Sequence, residues 1–195
     1  MTKSPCNSCT AILMAGGSAE RMGRDKRFLK VGTEQLIERQ VKFLKLYFEE
    51  VFVSANDPKA LKHLKVPIIP DEHPGRGPLE GLTSALAATH SEYNFVVAVD
   101  IPDIDMDLVE KMRAKLENVS AVIPVSAGGK EEPLFAFYSK QCVPIFKSAL
   151  KSGERAIHRA LKRCPVYHYP MAVEGLFKNL NSPEDYKDYI RSTEP

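Results

Sequence analysis

Short apolar runs recur along the chain, and glycine, proline or charged residues bound most of them. Runs of four or five apolar residues with such boundaries are typical of buried β-strands. They predict six strands, over residues 11–15, 51–55, 66–69, 95–99, 121–125 and 134–138. The run over 95–99 is apolar throughout, which is typical of a central strand that is buried on both faces.

Between these runs, apolar residues return at helical spacing. Residues 36–47 show this spacing, and Thr33 is placed to cap the helix that they predict. Further helices are predicted around residues 60–61 and over about 78–89, 106–117 and 140–163. A last helix begins after Ser182, where a capping serine precedes a proline and two acidic residues. Strands that alternate with helices predict a three-layer, Rossmann-like α/β fold with a mostly parallel central sheet.

Length and charge narrow the classes of protein to be considered. The chain has 195 residues, which favours a single domain over residues 11–195 after an N-terminal extension at 1–10. A net charge of +2 argues against a nucleic-acid partner and against a membrane surface. No apolar run approaches the roughly 20 residues of a membrane span, and the N-terminus lacks the apolar segment of a signal peptide. We therefore expect a cytoplasmic protein.

The four cysteines include one C-x-x-C pair, Cys6 and Cys9. Such a pair occurs in redox motifs and as half of a zinc site. No second C-x-x-C follows, and the pair precedes the first predicted strand. The sequence therefore predicts that these cysteines belong to an inert extension.

The first predicted strand leads into a glycine-rich turn. Backbone N–H groups in such a turn can point together at a phosphate chain, and Arg21 and Lys26 would add fixed positive charge. The spacing excludes a Walker loop, since five residues separate Gly17 from Gly23, and no G-x-G-x-x-G is present. The candidate nucleotide-binding residues of this segment are Leu13, Met14, Ala15, Gly16, Gly17 and Lys26.

Asp100 follows the most apolar of the predicted strands. A carboxylate at this position is costly unless a positive group meets it, and a hard divalent cation carrying triphosphate oxygens is such a partner. A helix cap or a loop salt bridge is the alternative. Because the carboxyl ends of parallel strands share one edge of a sheet, we expect Asp100 to lie beside the glycine-rich turn, which favours the metal.

The glycine-rich turn resembles the signature of the molybdenum cofactor guanylyltransferases, L-x-A-G-G-x-x-x-R-M-G-x-D-K, from Leu13 to Lys26. Matching motifs follow in the same order: P-D-x-x-P-G-x-G-P-L-x-G-L from Pro70, D-x-P at Asp100, and N-x-N-S-P-E-D from Asn179. The resemblance implies the nucleotidyltransferase fold. It also implies transfer of GMP from GTP to the molybdopterin cofactor, which forms the guanine dinucleotide cofactor and pyrophosphate.

The resemblance further implies roles for the matched residues near the nucleotide. Asp100 would bind Mg²⁺, the expected cofactor, while Lys26 and Arg21 would contact the phosphates. Asp71 would lie at the nucleotide, and the backbone at Gly77 and Pro78 would line the guanosine.

On the acceptor side, the resemblance implies that Asn179, Asn181 and Arg155 lie near the pterin substrate. The two asparagines alternate on a predicted strand end and would therefore face the same side. The family also implies transient contact with a cofactor-delivery protein or a molybdoenzyme.

Two alternatives remain at this stage. A related enzyme could use CTP or a sugar phosphate, although Ala15-Gly16-Gly17 and the loop at Asp71 favour guanine. The protein could also be a nucleotide-binding regulatory module without catalysis. Lys26 and Asp100 together favour an enzyme, since binding alone does not require both.

Overall fold

The computed structural model describes residues 6–16, 25–171, 177 and 179–193, with only the backbone described for residues 6–8. Nine strands are present in these residues: β1 Cys6–Met14, β2 Lys30–Val31, β3 Glu34–Gln35, β4 Phe48–Ser54, β5 Ile68–Ile69, β6 Tyr93–Ala98, β7 Ala121–Val125, β8 Phe135–Ser139 and β9 Val166–Pro170. The α-helices are α1 Leu36–Leu44, α2 Pro78–Ala88, α3 Met106–Arg113, α4 Cys142–Lys151, α5 Ile157–Leu161 and α6 Pro183–Thr193.

Seven strands form the central sheet in the order β5-β4-β1-β6-β8-β7-β9. The pairs β1·β4, β1·β6, β4·β5 and β7·β9 are parallel, and β8 is antiparallel to both of its neighbours. The predicted α/β fold with a mostly parallel sheet is therefore confirmed. Strands β2 and β3 form a separate antiparallel hairpin.

Alternate residues of the central strands supply two hydrophobic cores, one on each face of the sheet. In β1, Ala11 and Leu13 pack with α1, α3 and α6, whereas Ile12 and Met14 pack with α2, α4 and α5. All four side chains are buried, as expected for a strand with helices on both sides. The sheet is thus the middle layer of three.

The first strand begins earlier than the sequence predicts. The segment 6–10, expected to be part of an extension, lies in β1 together with both cysteines of the C-x-x-C pair. The apolar pattern does not predict this part of the strand because it contains polar residues. Thr10 is buried, and its Oγ1 donates to Oε2 of Glu50 at 3.1 Å and lies 2.8 Å from Oγ of Ser91. A hydrogen-bonded polar residue can occupy a buried strand without interrupting it.

Three other boundaries are corrected by the structure. Thr33 lies in the turn between β2 and β3 and does not cap α1; the chain stays extended through Gln35, whose backbone N–H donates to Oε2 of Glu38 at 2.9 Å. The helix predicted over 140–163 is divided into α4 and α5 because Gly153 adopts φ +84°. The helix predicted around 60–61 is a 3₁₀ turn at Lys62–Leu64.

Strand β9 is absent from the prediction. It lies at the edge of the sheet, and its residues are half-buried or exposed, so it lacks an apolar run.

Among the helices within the described ranges, none combines the length and the apolar character that crossing a bilayer requires.

Candidate active site

A cavity of about 810 Å³ opens at the carboxyl ends of β1, β4 and β6. This volume is within the range of small-molecule and cofactor sites. We call it the larger cavity. Its walls come from the ends of β1, β4 and β6 and the segments that follow them, from the loop between β5 and α2, from the start of α2, and from the residue before β8. The lining residues are Met14, Ala15, Gly16, Asp25, Lys26, Arg27, Ser54, Asn56, Asp57, Asp71, Gly75, Gly77, Pro78, Gly81, Ala98, Val99, Asp100 and Leu134.

Lys26 contacts two predicted site residues that are distant from it in the sequence, Asp100 and Asn181. Its Nζ lies 3.2 Å from Oδ2 of Asp100 and donates to Oδ1 of Asn181 at 3.3 Å. The side chains of Lys26 and Asp100 keep about a quarter of their surface exposed, at 24% and 25%. The loop salt bridge considered for Asp100 is therefore present. A carboxylate offers two oxygens, so this ion pair leaves one oxygen of Asp100 for a ligand.

Asp25 and Arg27 flank Lys26 and form a hydrogen-bonded ion pair. Nε of Arg27 donates to both carboxylate oxygens of Asp25 at 2.9 Å, and the Arg27 backbone N–H donates to Oδ1 at 3.1 Å. Burial raises the pKa of Asp25, but these hydrogen bonds from Arg27 hold that pKa below its ordinary value. The pair fixes the 3₁₀ turn at Lys26–Phe28 and leaves Lys26 to face Asp100.

The backbone around Asp100 is held from two sides. Nε2 of Gln40, a buried residue of α1, donates to the carbonyl oxygen of Ile101 at 2.6 Å. On the other side, the N–H of Leu180 donates to the carbonyl oxygen of Asp100 at 2.8 Å. Sequence reasoning missed Gln40, although a polar residue within the apolar face of a helix is a signal of a buried hydrogen bond.

Asp71 is held by Asn56, a second residue that the sequence reasoning missed. Nδ2 of Asn56 donates to Oδ2 of Asp71 at 2.8 Å, and the Asp71 N–H donates to Oδ1 of Asn56 at 2.8 Å. Asn56 lies two positions after the end of β4, where ligand-binding residues of parallel sheets are expected. Gly81 permits this packing, since an added Cβ would lie 3.0 Å from Oδ1 of Asp71.

Arg155 lies beside the glycine loop that precedes α2. Its Cβ would be 3.4 Å from a Cβ at Gly77, which has φ +80°, and its carbonyl oxygen accepts from the Leu79 N–H at 3.4 Å. Its guanidinium donates to the carbonyl oxygen of Gly75 at 3.5 Å. Arg155 therefore borders the segment predicted to line the guanosine, and the structure does not group it with Asn179 and Asn181.

A second cavity of about 490 Å³ adjoins Asn179 and Asn181, and we call it the smaller cavity. Residues 179–181 form a turn in which the Asn181 N–H donates to the carbonyl oxygen of Asn179 at 3.0 Å, so the predicted strand end is wrong. The predicted helix cap after it is confirmed, since Oγ of Ser182 accepts from the Asp185 N–H at 3.1 Å. The strand prediction fails because Asp185 also accepts from the N–H groups of Asn181 and Ser182 at 3.0 and 2.8 Å, which tightens this turn onto α6.

Glu132 contacts Asn179, which lines the smaller cavity. The side chains of these residues hydrogen-bond, and Oδ1 of Asn179 is buried with no hydrogen-bond partner among the described residues. Burial raises the pKa of Glu132 against the lowering effects of Lys130 and of the Asn179 hydrogen bond, and the charge of Asp100 adds to the rise. Glu132 is therefore close enough to Asp100 to sense its charge.

The described lining of the larger cavity holds more negative than positive groups. The carboxylates are Asp25, Asp57, Asp71 and Asp100, and the cations are Lys26 and Arg27. A triphosphate in this cavity would require further positive charge. The oxygen donors of Asp100, Asn181 and Asn179 are of the kind that Mg²⁺ prefers, so the residues present fit such an ion.

Three predicted residues are treated separately: Arg21, Gly17 and Leu13. Arg21 and Gly17 lie outside the described residues. The side chain of Leu13 is fully buried in the core beside α1 and is not part of the larger cavity. The predicted residues that line this cavity are Met14, Ala15, Gly16, Lys26, Asp71, Gly77, Pro78 and Asp100.

Comparisons with known proteins agree with this arrangement. The family described as "MobA-like NTP transferase domain" matches residues 11–165. A probable molybdenum cofactor guanylyltransferase of Peptoclostridium acidaminophilum is 31% identical, covering 95% of this chain and 90% of the relative. A molybdenum cofactor guanylyltransferase of Syntrophotalea carbinolica is also 31% identical, covering 93% of this chain and 90% of the relative.

Among solved structures, the molybdopterin-guanine dinucleotide biosynthesis protein A of Archaeoglobus fulgidus is similar over 95% of this chain and 100% of its own, with a TM-score of 0.79 and 26% identity. The matched range 11–165 contains Lys26, Asp71 and Asp100. Asn179 and Asn181 lie beyond it.

Proposed function

The chain belongs to the family of MobA-like NTP transferase domains, and from this premise we propose that it transfers GMP from GTP to the molybdopterin cofactor. Membership makes it a nucleotidyltransferase. The names of its relatives support a role in molybdenum cofactor biosynthesis. The proposed products are the guanine dinucleotide cofactor and pyrophosphate.

The observation that carries this proposal is the position of Lys26 between Asp100 and Asn181. These three side chains come from three distant parts of the chain. Lys26 and Asp100 line the larger cavity, Asn181 lines the smaller one, and the hydrogen bond from Lys26 to Asn181 links the two linings. Transfer between two bound substrates requires such a junction, because the reacting atoms of both must be held in line. A protein that only binds a nucleotide needs no second cavity there.

The chemistry that we propose needs no strong base. An oxygen of the terminal phosphate of the acceptor attacks the α-phosphorus of GTP, and the bond from that phosphorus to the bridging oxygen of pyrophosphate breaks. The attacking phosphate is already ionised, so positioning and charge neutralisation supply the catalysis. Lys26, Arg21 and the N–H groups of the glycine-rich turn would bind the phosphates.

Mg²⁺ would be held by Asp100, with amide oxygen from the turn at Asn179 and Asn181 close by. Bound there, the ion would neutralise charge on the transferred phosphate and on pyrophosphate. Lys26 pairs with Asp100 in the structure, so we propose that its Nζ turns toward the phosphates when substrate binds. A flexible ammonium group suits this exchange of partners.

Guanine selection would depend on Asp71. On its Watson–Crick edge guanine presents two adjacent donors, N1–H and N2–H₂, which the two oxygens of a carboxylate can accept together. Cytosine presents only one donor there, N4–H₂, beside an acceptor nitrogen. Asn56 donates to the Asp71 carboxylate and accepts from the Asp71 backbone N–H, each at 2.8 Å, so the acceptor is preorganised. The pterin acceptor would occupy the smaller cavity beside Asn179 and Asn181. Arg155 would support the loop at Gly75–Gly77, which is proposed to line the guanosine.

The proposal is tested by incubating the purified protein with Mg²⁺, one NTP at a time and the molybdopterin cofactor. We expect pyrophosphate release that requires both GTP and the acceptor, with a product whose mass equals that of the acceptor plus GMP. A Lys26→Met variant should be folded and nearly inactive, whereas Glu110→Gln, on the exposed face of α3, should match the wild type. Absence of product with every NTP would overturn the proposal.

A further inference from the structure

Glu72, His73 and Glu80 bring three metal-ligating groups together beside the larger cavity. Glu72 and His73 lie in the loop between β5 and α2, and Glu80 lies in the first turn of α2. Each residue offers a ligand atom, and the three atoms lie within 4.8 Å of one another. None of the three residues is part of the Lys26–Asp100 junction.

Glu80 provides an independent reason to expect a ligand. Only 2% of its surface is exposed, and its Oε1 accepts from the His73 N–H at 3.1 Å. The other oxygen, Oε2, is buried and has no hydrogen-bond partner among the described residues. A buried carboxylate oxygen without a donor or a cation is costly. Nδ1 of His73 lies 3.4 Å from Oε1, so Oε2 is the oxygen that the described residues leave available to a positive group.

We propose that these three residues form a binding site for a divalent transition-metal ion of the zinc class. Two carboxylates and one imidazole are a donor set that Zn²⁺ accepts, whereas Mg²⁺ rarely binds imidazole. Glu72 and His73 are exposed and can move toward the ion, while Glu80 is the fixed ligand. Water would complete the coordination on the open side.

Lys147 is the competitor for this site. Its Nζ lies 3.4 Å from Oε2 of Glu72, with 46% of the lysine side chain exposed. An exposed ion pair of this kind contributes little to stability, so Glu72 can exchange it for a metal ion. The His73 backbone N–H can remain on Oε1 of Glu80 while Oε2 binds the ion, since only Oε1 accepts a hydrogen bond in the structure.

A bound ion would tie the loop from Asp71 to Gly77 onto α2. Asp71, Gly75 and Gly77 line the larger cavity, so the ion would stiffen one of its walls. Ligands that bind only the folded state stabilise it by mass action. We therefore expect metal binding to raise Tm, an effect that does not depend on which nucleotide or acceptor the enzyme uses.

The test uses the full chain after chelator treatment, with Zn²⁺ for calorimetry and Co²⁺ as a spectroscopic substitute. We expect one tightly bound ion, a rise in Tm, and a Co²⁺ spectrum without the near-ultraviolet bands of thiolate ligation. Loss of a group that only orients a ligand costs about 10–100-fold in metal affinity, so Glu80→Gln and His73→Ala should each weaken binding by at least about tenfold.

His168→Ala is the matched control, because His168 is exposed and pairs with a single carboxylate, Glu131, at 3.0 Å. It should bind the ion as the wild type does. Glu80→Gln conserves shape, and His73→Ala changes an exposed side chain, so circular dichroism should show both variants folded. The proposal is overturned if the wild type binds no ion, if both variants retain full affinity, or if thiolate bands assign the ion to cysteines.

Discussion

The Nζ of Lys26 lies 3.2 Å from Oδ2 of Asp100, although 74 positions separate the two residues along the chain. The contact joins the segment after β1 to the segment after β6, which are neighbouring parallel strands. It also neutralises a carboxylate at the end of a buried strand. Lys26 thus gives Asp100 an ammonium partner, which a metal ion could replace.

Asp100→Asn should separate catalysis from folding. The substitution preserves volume and polarity but removes the charge, so Mg²⁺ affinity should fall while Tm stays near that of the wild type. Lewis-acid stabilisation is worth several kcal/mol, so turnover should drop by roughly two to four orders of magnitude. Thermal unfolding and pyrophosphate release are measured on the same preparations. Glu110→Gln provides a control for loss of an exposed acid, and turnover close to the wild type in Asp100→Asn would contradict the assignment.

Asn181→Ala should act on the acceptor more than on the nucleotide. Asn181 accepts from Lys26 and lines the smaller cavity, which adjoins the proposed transfer point. We expect a higher Kd for the molybdopterin cofactor and an unchanged Kd for GTP, both measured by calorimetry. Ser192 lines the same cavity further along α6, so Ser192→Ala is the comparison variant. An unchanged pterin Kd in a folded Asn181→Ala protein would count against the acceptor site.

Gly81→Ala should weaken GTP binding without unfolding α2. The new Cβ would lie 3.0 Å from Oδ1 of Asp71, 3.1 Å from Oγ of Ser54 and 3.3 Å from Cε of Met14. Helix propensity favours alanine by about 1 kcal/mol, and the crowding costs about 1–3 kcal/mol. We therefore expect a net loss of up to about 2 kcal/mol in the free energy of unfolding and a displaced Asp71.

Ala87→Gly, at an exposed position of the same helix, calibrates the propensity in α2. Urea unfolding and GTP titration of both variants are compared. The contradicting result is a Gly81→Ala variant whose unfolding free energy rises by as much as that of Ala87→Gly falls, with unchanged GTP affinity. The close approach of Gly81 to Asp71 would then have no functional consequence.

Tyr189→Phe should loosen α6 from the segment that follows Asp100. The buried Tyr189 hydroxyl donates to Oδ1 of Asp103 at 2.9 Å, and loss of this bond should cost about 1 kcal/mol of unfolding free energy. Burial and this hydrogen bond raise the pKa of Tyr189 to about 12. Because the folded value is above the unfolded value of about 10, the stabilisation is complete below pH 10 and is lost as the pH rises toward 12.

The measurement is urea unfolding at several pH values up to the alkaline range. Asp103→Asn and the double variant complete a cycle, in which the coupling between the two positions should be near 1 kcal/mol at neutral pH. A coupling near zero would mean that the hydroxyl and the carboxylate do not stabilise each other.

The sequence was sufficient for the α/β architecture because its apolar runs mark the strands that are buried on both faces. It failed where a strand is polar or at an edge. Thr10 hides the start of β1 because its hydroxyl is hydrogen-bonded within the protein, and β9 lacks an apolar run because it is half-buried. Strand β9 forms by pairing with β7, and this tertiary contact cannot be read from a local sequence pattern.

The sequence predicted members of the lining of the larger cavity where a residue type itself suggests the chemistry, as for Lys26, Asp71 and Asp100. Residues that act by holding others were missed. Gln40 and Asn56 are ordinary polar residues in the sequence, and their importance depends on hydrogen bonds to Ile101 and Asp71 from distant segments. The acceptor-side role of Arg155 stays a prediction; its guanidinium donates to the carbonyl oxygen of Gly75, a contact between distant segments that no local pattern reports.

The central claim is that this nucleotidyltransferase selects GTP through Asp71 and transfers GMP at the Lys26–Asp100 junction. The most direct test is the ratio of kcat/KM for GTP to that for CTP, from pyrophosphate release with Mg²⁺ and saturating molybdopterin cofactor. A site built to hydrogen-bond one base rejects a base that leaves its buried polar groups unpaired, so we predict a ratio of at least about 100 in favour of GTP. A ratio below one would contradict the account.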